Sequence, residues 1–274
     1  MTDLGGTRGY YASFDRREWE RLETPQGRIE FELTTHFLAK TMPESGRVLD
    51  IGGGPGRYSR WLCDMGYQAT LADLSPNLLD IARAEFGEDR IREIVEADVR
   101  DLSRWSDNTF DSTIALGPFY HLTSAADRRK ALEELMRVTM PGGTIAVALM
   151  SKYALLRRTL SIRDERHRMA EASFVEALLS RGTYDNPIPG RFTEGYGVEP
   201  SKAAKSFEEA GLITEIVAST HGFATGLEDQ IENLRSEDPD AYVSTLEVLK
   251  ATATDPSLLG TAGHLLYIGR NAPR

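Results

Sequence analysis

The chain has a single cysteine, Cys63, so it cannot close an internal disulfide and offers no thiolate cluster for zinc. Nothing in it approaches the run of about 20 apolar residues that a membrane helix needs. Its first residues, MTDLGGTRGYY, lack the charged-then-apolar order of a signal peptide. Basic residues are outnumbered, 32 Lys and Arg against 42 Asp and Glu, for a formal net charge of −10. That deficit argues against a polyanionic partner, because nucleic-acid binding draws most of its affinity from cations placed on phosphates. The local basic clusters, Arg157-Arg158 and Arg163 to Arg168, read as solvated helix faces, the second interrupted by acids. Internal repeats and low-complexity tracts are also missing. These absences point to a cytosolic, globular protein that binds neither nucleic acid nor membrane. At 274 residues it has core enough for one α/β domain with elaborations.

What is present begins with Val48-Leu49-Asp50-Ile51-Gly52-Gly53-Gly54-Pro55-Gly56-Arg57, a short apolar strand running into a glycine-rich turn. Pro55 to Met65 reads as a helix, with proline in its first turn and Tyr58, Trp61, Leu62 and Met65 on one face. A strand, a turn without Cβ atoms and a helix N-terminus together let a ligand reach bare backbone amides. The dinucleotide fingerprint needs glycines spaced G-x-G-x-x-G; here Gly52, Gly54 and Gly56 give G-x-G-x-G, and Arg57 stands where the third would be. No Gly-Lys-Ser/Thr follows, so the phosphate-loop pattern fails as well. A tight turn that binds nothing is the other reading of this stretch alone.

More elements follow in order. Gln68 to Leu74 reads as a second strand reaching Asp73, about 20 residues past the first turn, where an acid can hold a ribose diol. Ser75-Pro76 opens a helix. A third strand, Ile91 to Ala97, ends at Asp98-Val99, and a fourth spans Ser112 to Leu116. The helix around Arg128 to Val138 is stopped by Met140-Pro141-Gly142-Gly143, and a fifth strand runs from Thr144 to Met150. Asp73 capping a turn, or Asp98 forming an Asx-turn, are the structural alternatives for those acids. Asp111 reads as structural.

On these residues the chain resembles the class I S-adenosylmethionine (SAM)-dependent methyltransferases, whose first motif has the form of Leu49-Asp50-Ile51-Gly52-Gly53-Gly54-Pro55-Gly56. The resemblance covers Arg47 to Met150. It implies an α/β, Rossmann-like, doubly wound, mostly parallel seven-stranded sheet with an antiparallel last strand, His264 to Gly269, beside a sixth, Leu212 to Ala218. By the same resemblance the turn of Gly52, Gly54 and Gly56 touches the methionine end of SAM and Asp73 the ribose hydroxyls. Leu74 lies against adenine, Asp98 accepts from its amino group, the Val99 backbone meets a ring nitrogen, and the backbone near Leu116 holds the ammonium. Tyr11 is a candidate to line the reacting methyl and Arg21 a candidate for the carboxylate, both from an N-terminal segment that such enzymes fold over the site.

The expected organisation is one methyltransferase domain: an N-terminal helical cap over 1–42, a SAM-binding core over 43–150, cap insertions over 151–200 and 226–259, and the rest of the sheet in 201–225 and 260–274. A cap of that kind suits a small-molecule acceptor, with a homodimer left open. After the fourth strand, Leu116-Gly117-Pro118-Phe119-Tyr120-His121-Leu122 holds the chain's only Tyr-His pair. His121 is the candidate general base, since an imidazole titrates near working pH. Tyr120 is the candidate to orient the acceptor. Alternatively His121 bonds backbone and only shapes the pocket. The N-P-P-Y/F signature of many adenine and amide N-methyltransferases is missing here, and no metal-ligand cluster is evident, so no metal is expected. A nicotinamide-dependent oxidoreductase and a non-catalytic SAM-binding protein are the remaining alternatives.

Overall fold

A computed structural model describes residues 9, 17–86, 90–186, 192 and 194–272. Of the elements described in full, α1 (Arg17–Leu22) and α2 (Pro25–Thr41) come first. The second is fixed at its start by Thr24, whose hydroxyl accepts from Gly27 N at 3.1 Å, with proline at the first helical position. The core then alternates: β1 (Arg47–Ile51), α3 (Arg57–Asp64), β2 (Gln68–Asp73), α4 (Pro76–Phe86), β3 (Glu93–Glu96), β4 (Phe110–Ala115), α5 (Ala125–Val138) and β5 (Thr139–Ser151). Beyond it come α6 (Lys152–Ser161), α7 (Ala172–Glu176), β6 (Thr183–Asp185), β7 (Glu194–Val198), α8 (Lys205–Glu209) and β8 (Leu212–Ser219). The chain closes with α9 (Glu228–Glu237), α10 (Pro239–Thr252), α11 (Pro256–Leu259) and β9 (His264–Asn271).

The strands form one sheet in the order β3-β2-β1-β4-β5-β9-β8, parallel except for β9, which pairs antiparallel with both β5 and β8. These are the seven strands the sequence implies. Two more join them: the hairpin β6–β7 hangs on the tip of β5, where Met150 and Ser151 pair in parallel with Gly197 and Val198. The expected cap insertion over 151–200 therefore contains paired strands. Another difference is at Met140-Pro141-Gly142-Gly143, which lies within β5 instead of before it. Phe110 pairs with Thr139 and Ser112 with Thr144, so the extra residues bulge out of the ladder, with Gly142 at φ 77°.

Alternation along the strands feeds two cores. Leu49 and Ile51 face a layer completed by α5 and α8, through Leu132, Leu135 and Phe207. Val48, Ala69 and Ile114 face the opposite layer, built from Ile29, Leu33 and Phe37 of α2 with Leu62 of α3 and Leu249 of α10. Helices on both faces of a mostly parallel sheet make this a doubly wound, Rossmann-like fold. The residues after β5 build a small core of their own from Leu155, Phe174, Leu178 and Tyr184. The later insertion packs on α2 instead, held by Arg28–Glu232 and Lys250–Glu32 ion pairs of 2.9 and 2.8 Å. No helix among the described residues is long and apolar enough to cross a membrane.

Candidate active site

Strand order reverses between β1 and β4, and open α/β sheets bind ligands at such a switch point, off the C-terminal strand ends. A pocket of about 980 Å³, mouth included, lies there. Its floor is the turn after β1. Gly52, Gly54 and Gly56 have φ of 73°, 55° and 86°, left-handed values that disfavour any side chain. A Cβ on Gly52 would overlap the Pro118 ring, and one on Gly53 would come within 2.5 Å of Asp50 Oδ2. The bare turn is thus required by its neighbours as well as by its torsions.

Asp73, at the end of β2, holds this turn. Its Oδ2 accepts from Gly54 N and its Oδ1 from Ser75 N, both at 2.8 Å. Asp98 lies past the next strand tip and also lines the pocket, with Leu74 and Val99 close by. It forms the Asx-turn, Oδ1 accepting from Arg100 N at 2.9 Å, and its carboxylate is gripped by the Arg100 side chain. Leu116 lines the opposite wall. Asp111 is elsewhere: it accepts from Arg47 N at 2.7 Å, at the start of β1.

Asp50 is a pocket residue that the sequence reading does not single out. An acid inside an apolar strand is its visible signal. It is fully buried; Oδ2 accepts from Ser59 Oγ at 2.7 Å, and Oδ1 has no hydrogen-bond partner among the described residues. Burial pushes its carboxyl up to about 7, against the hydrogen bond from Ser59 and helped by the nearby charge of Asp73. Arg57, in the position of the missing third glycine, also has a task. Its guanidinium donates to the carbonyls of Leu22 and Gly27 and lies 4.2 Å from the centre of the Phe31 ring, tying the α1–α2 junction to the turn.

The other end of the pocket is aromatic. Tyr58 comes from α3, and Tyr120 and His121 come from a 3₁₀ turn, Pro118–His121. Arg21 of α1 is at the mouth. The sequence-predicted residues Arg21, Gly52, Gly54, Asp73, Leu74, Asp98, Val99, Leu116, Tyr120 and His121 all line this one cavity; Gly56 is one step behind it, packed against Phe86. Tyr11 lies outside the described residues. His121 is buried, and that burial pushes its imidazole down to about 4, despite a hydrogen bond with the Glu194 main chain; the charge of His264 adds to the lowering. Phe192 packs 5.1 Å from His121, ring to ring, and His264 stacks on Tyr120 at 5.4 Å. Behind Tyr120, Nδ1 of His264 is 3.0 Å from Glu30 Oε1. Burial opposes ionisation of Glu30, but His264 outweighs it by charge and hydrogen bond and holds the carboxyl well below its ordinary range. His264 and Glu30 carry no sequence signal as a pair, because β9 and α2 meet only in the fold. Among the described residues no group of three His, Cys, Asp or Glu is placed to hold a metal.

Residues 49–147 match the family described as Methyltransferase domain. A glycine/sarcosine N-methyltransferase of Aphanothece halophytica is 30% identical over 236 residues, covering 82% of this chain and 85% of the relative. The chain belongs to the class I SAM-dependent methyltransferases. SAM is the cofactor of that family. A demethylmenaquinone methyltransferase of Clavibacter sepedonicus is 38% identical over 120 residues, 43% of this chain and 46% of that one. Against several such curated relatives, this one included, the chain spans about half their length. The fold is shared with a Burkholderia thailandensis 1,6-didemethyltoxoflavin N1-methyltransferase solved with S-adenosylhomocysteine (SAH), at a TM-score of 0.56 and 15% identity over 97% of this chain and 88% of the other.

Proposed function

We propose that the protein transfers the methyl group of SAM to a small-molecule acceptor. The observation that carries this reading is a single pocket with a Cβ-free turn and two strand-tip acids at one end, and half-buried aromatics with a buried imidazole at the other. The residues fit SAM. The Asp50 oxygen without a partner is matched by an ammonium, and the turn of Gly52 to Gly54 leaves room that side chains would fill. Asp73, at the tip of β2 beside the turn, is the candidate for the ribose diol, and Asp98 with the Val99 amide presents an acceptor and a donor to adenine. Arg21 is the candidate for the carboxylate, and Tyr11 for the wall beside the methyl.

Bound SAM supplies a methyl on a sulfonium, open to in-line displacement. What remains for the chain is to align the acceptor, exclude water and manage a proton. Tyr58 and Tyr120 provide apolar walls, with Phe192 packed against His121. His121, uncharged at neutral pH and tied to the Glu194 main chain, orients the acceptor and takes its proton only where the nucleophile is acidic enough. The insertion over 151–200, which brings Phe192 to His121, acts as the cap. The relatives named for glycine, sarcosine and demethylmenaquinone support an acceptor of small size.

Calorimetry with SAM, SAH and NAD tests the cofactor: SAM and SAH are expected to bind and NAD not to. Binding of NAD alone overturns the reading. Turnover against amines, phenols and indoles then tests catalysis, and a His121→Ala enzyme with full turnover would leave that residue as pocket lining only.

A further inference from the structure

The grip on Asp98 is stronger than an Asx-turn requires. Arg100 folds back over its own turn so that Nε reaches both Asp98 oxygens at 3.1 Å and Nη2 reaches Oδ2 at 2.6 Å. The same guanidinium extends Nη1 toward Asp127 Oδ2, 3.4 Å away in the first turn of α5, where Asp127 is only 4% exposed. One fork thus joins two carboxylates on different elements. A planar, bidentate pair of this kind fixes orientation as well as charge. The carboxylate it fixes borders the pocket beside the Val99 backbone.

We infer that Arg100 is a positioning residue for nucleobase specificity: it locks the plane of the Asp98 carboxylate so that the Asp98 acceptor and the Val99 amide read adenine and reject a 6-oxopurine. The inference rests on the assignment of this pocket to SAM. Adenine offers an exocyclic amino donor beside a ring-nitrogen acceptor. A 6-oxopurine offers the reverse, an oxygen acceptor beside an N–H, which sets oxygen against carboxylate and N–H against N–H. Discrimination of this type is large only when the reading groups cannot turn away from a mismatch. A lone Asp side chain rotates about its terminal torsion with little resistance. Arg100 removes that freedom, with Asp127 anchoring the far side of the clamp.

The test compares binding of SAH and S-inosylhomocysteine, its 6-oxopurine analogue, by calorimetry in the wild type, Arg100→Lys and Arg100→Met. Because Arg100→Met takes a cation away from the buried Asp127 carboxylate, the pair Arg100→Met/Asp127→Asn is included; it relieves that charge without restoring the clamp. The expected result is a wild-type preference for SAH that falls about tenfold or more in each variant. The loss should come partly from weaker SAH binding and partly from better tolerance of the analogue. Arg100→Lys should not rescue, since an ammonium lacks the fork. An unchanged preference in the folded variants overturns the inference, as does tighter SAH binding, which would mean that Arg100 competes for Asp98. Failure of the wild type to bind SAH at all would instead strike the cofactor assignment.

Discussion

Asp50 carries one oxygen tied to Ser59 and another without a partner, on a carboxyl that titrates near neutrality. Its folded pKa is raised above the unfolded one, so the empty protein holds this proton more tightly than the unfolded chain. Its contribution to stability is therefore full near pH 4 and is lost as pH rises through about 7. A bound ammonium reverses the preference by favouring the ionised form. SAH affinity, measured by calorimetry from pH 6 to 8, is expected to rise with pH, and Asp50→Asn to flatten that rise; a wild-type profile that matches the variant's would refute the pairing. Asp73 makes a second prediction. Both its oxygens accept from main-chain amides, so Asp73→Ala is expected to weaken SAH binding by about 1–3 kcal/mol. Asp73→Asn should do no better, because its amide would turn a donor toward Gly54 N or Ser75 N. At this scale the sequence shows which acids sit at strand tips, since an acid after an apolar run stands out. It does not show that Arg100 grips Asp98, or that Glu30 meets His264, because those contacts depend on where rotamers and distant elements come to rest.

Among the elements, β1 to β5 are legible because short apolar runs are punctuated by Gly, Pro and Asp at the turns. The hairpin β6–β7 is not. Thr183–Asp185 is too short to carry a period, and its strand character comes from pairing with Glu194–Tyr196. Gly182, at φ 70°, lies so close to the Gly197 carbonyl that a Cβ there would overlap it. The hairpin is held to the rest by the small core around Leu178 and Tyr184, where Tyr184 Oη donates to the buried Glu165 at 2.8 Å. Leu178→Ala is expected to cost about 2–5 kcal/mol by leaving a cavity. Since that core is separate from the two flanking the sheet, hydrogen exchange should quicken in α7 and β6–β7 while β1 and β4 keep their protection. Uniform loss of protection would show that the insertion and the sheet unfold together.

For the molecule as a whole, one pocket draws residues from α1, four strand ends and the turn after β4. A ligand there binds the folded chain and not the unfolded one. At a hundred times its dissociation constant SAH should add about 2.7 kcal/mol, which for a chain of this size means a rise in melting temperature of roughly 5–10 °C. NAD at equal concentration should leave the melting temperature unchanged; a comparable rise with NAD would contradict the assignment. The doubly wound architecture is legible from the order of strands and helices, and the position of β9 follows only from the family resemblance. Nothing local in His264 to Asn271 says which neighbours it takes.

That last strand has a consequence during synthesis. Among the described residues β8 finds its sheet partner only in β9, and β9 lies between β8 and β5. While the polypeptide emerges from the ribosome, β5 waits with one flank unsatisfied and β8 has no strand to pair with, until Leu265, Leu266 and Ile268 arrive to fill both sides at once. The nascent chain thus carries an open, apolar seam from the emergence of β5 until β9 follows, and the insertion of that single segment converts it into a sealed sheet.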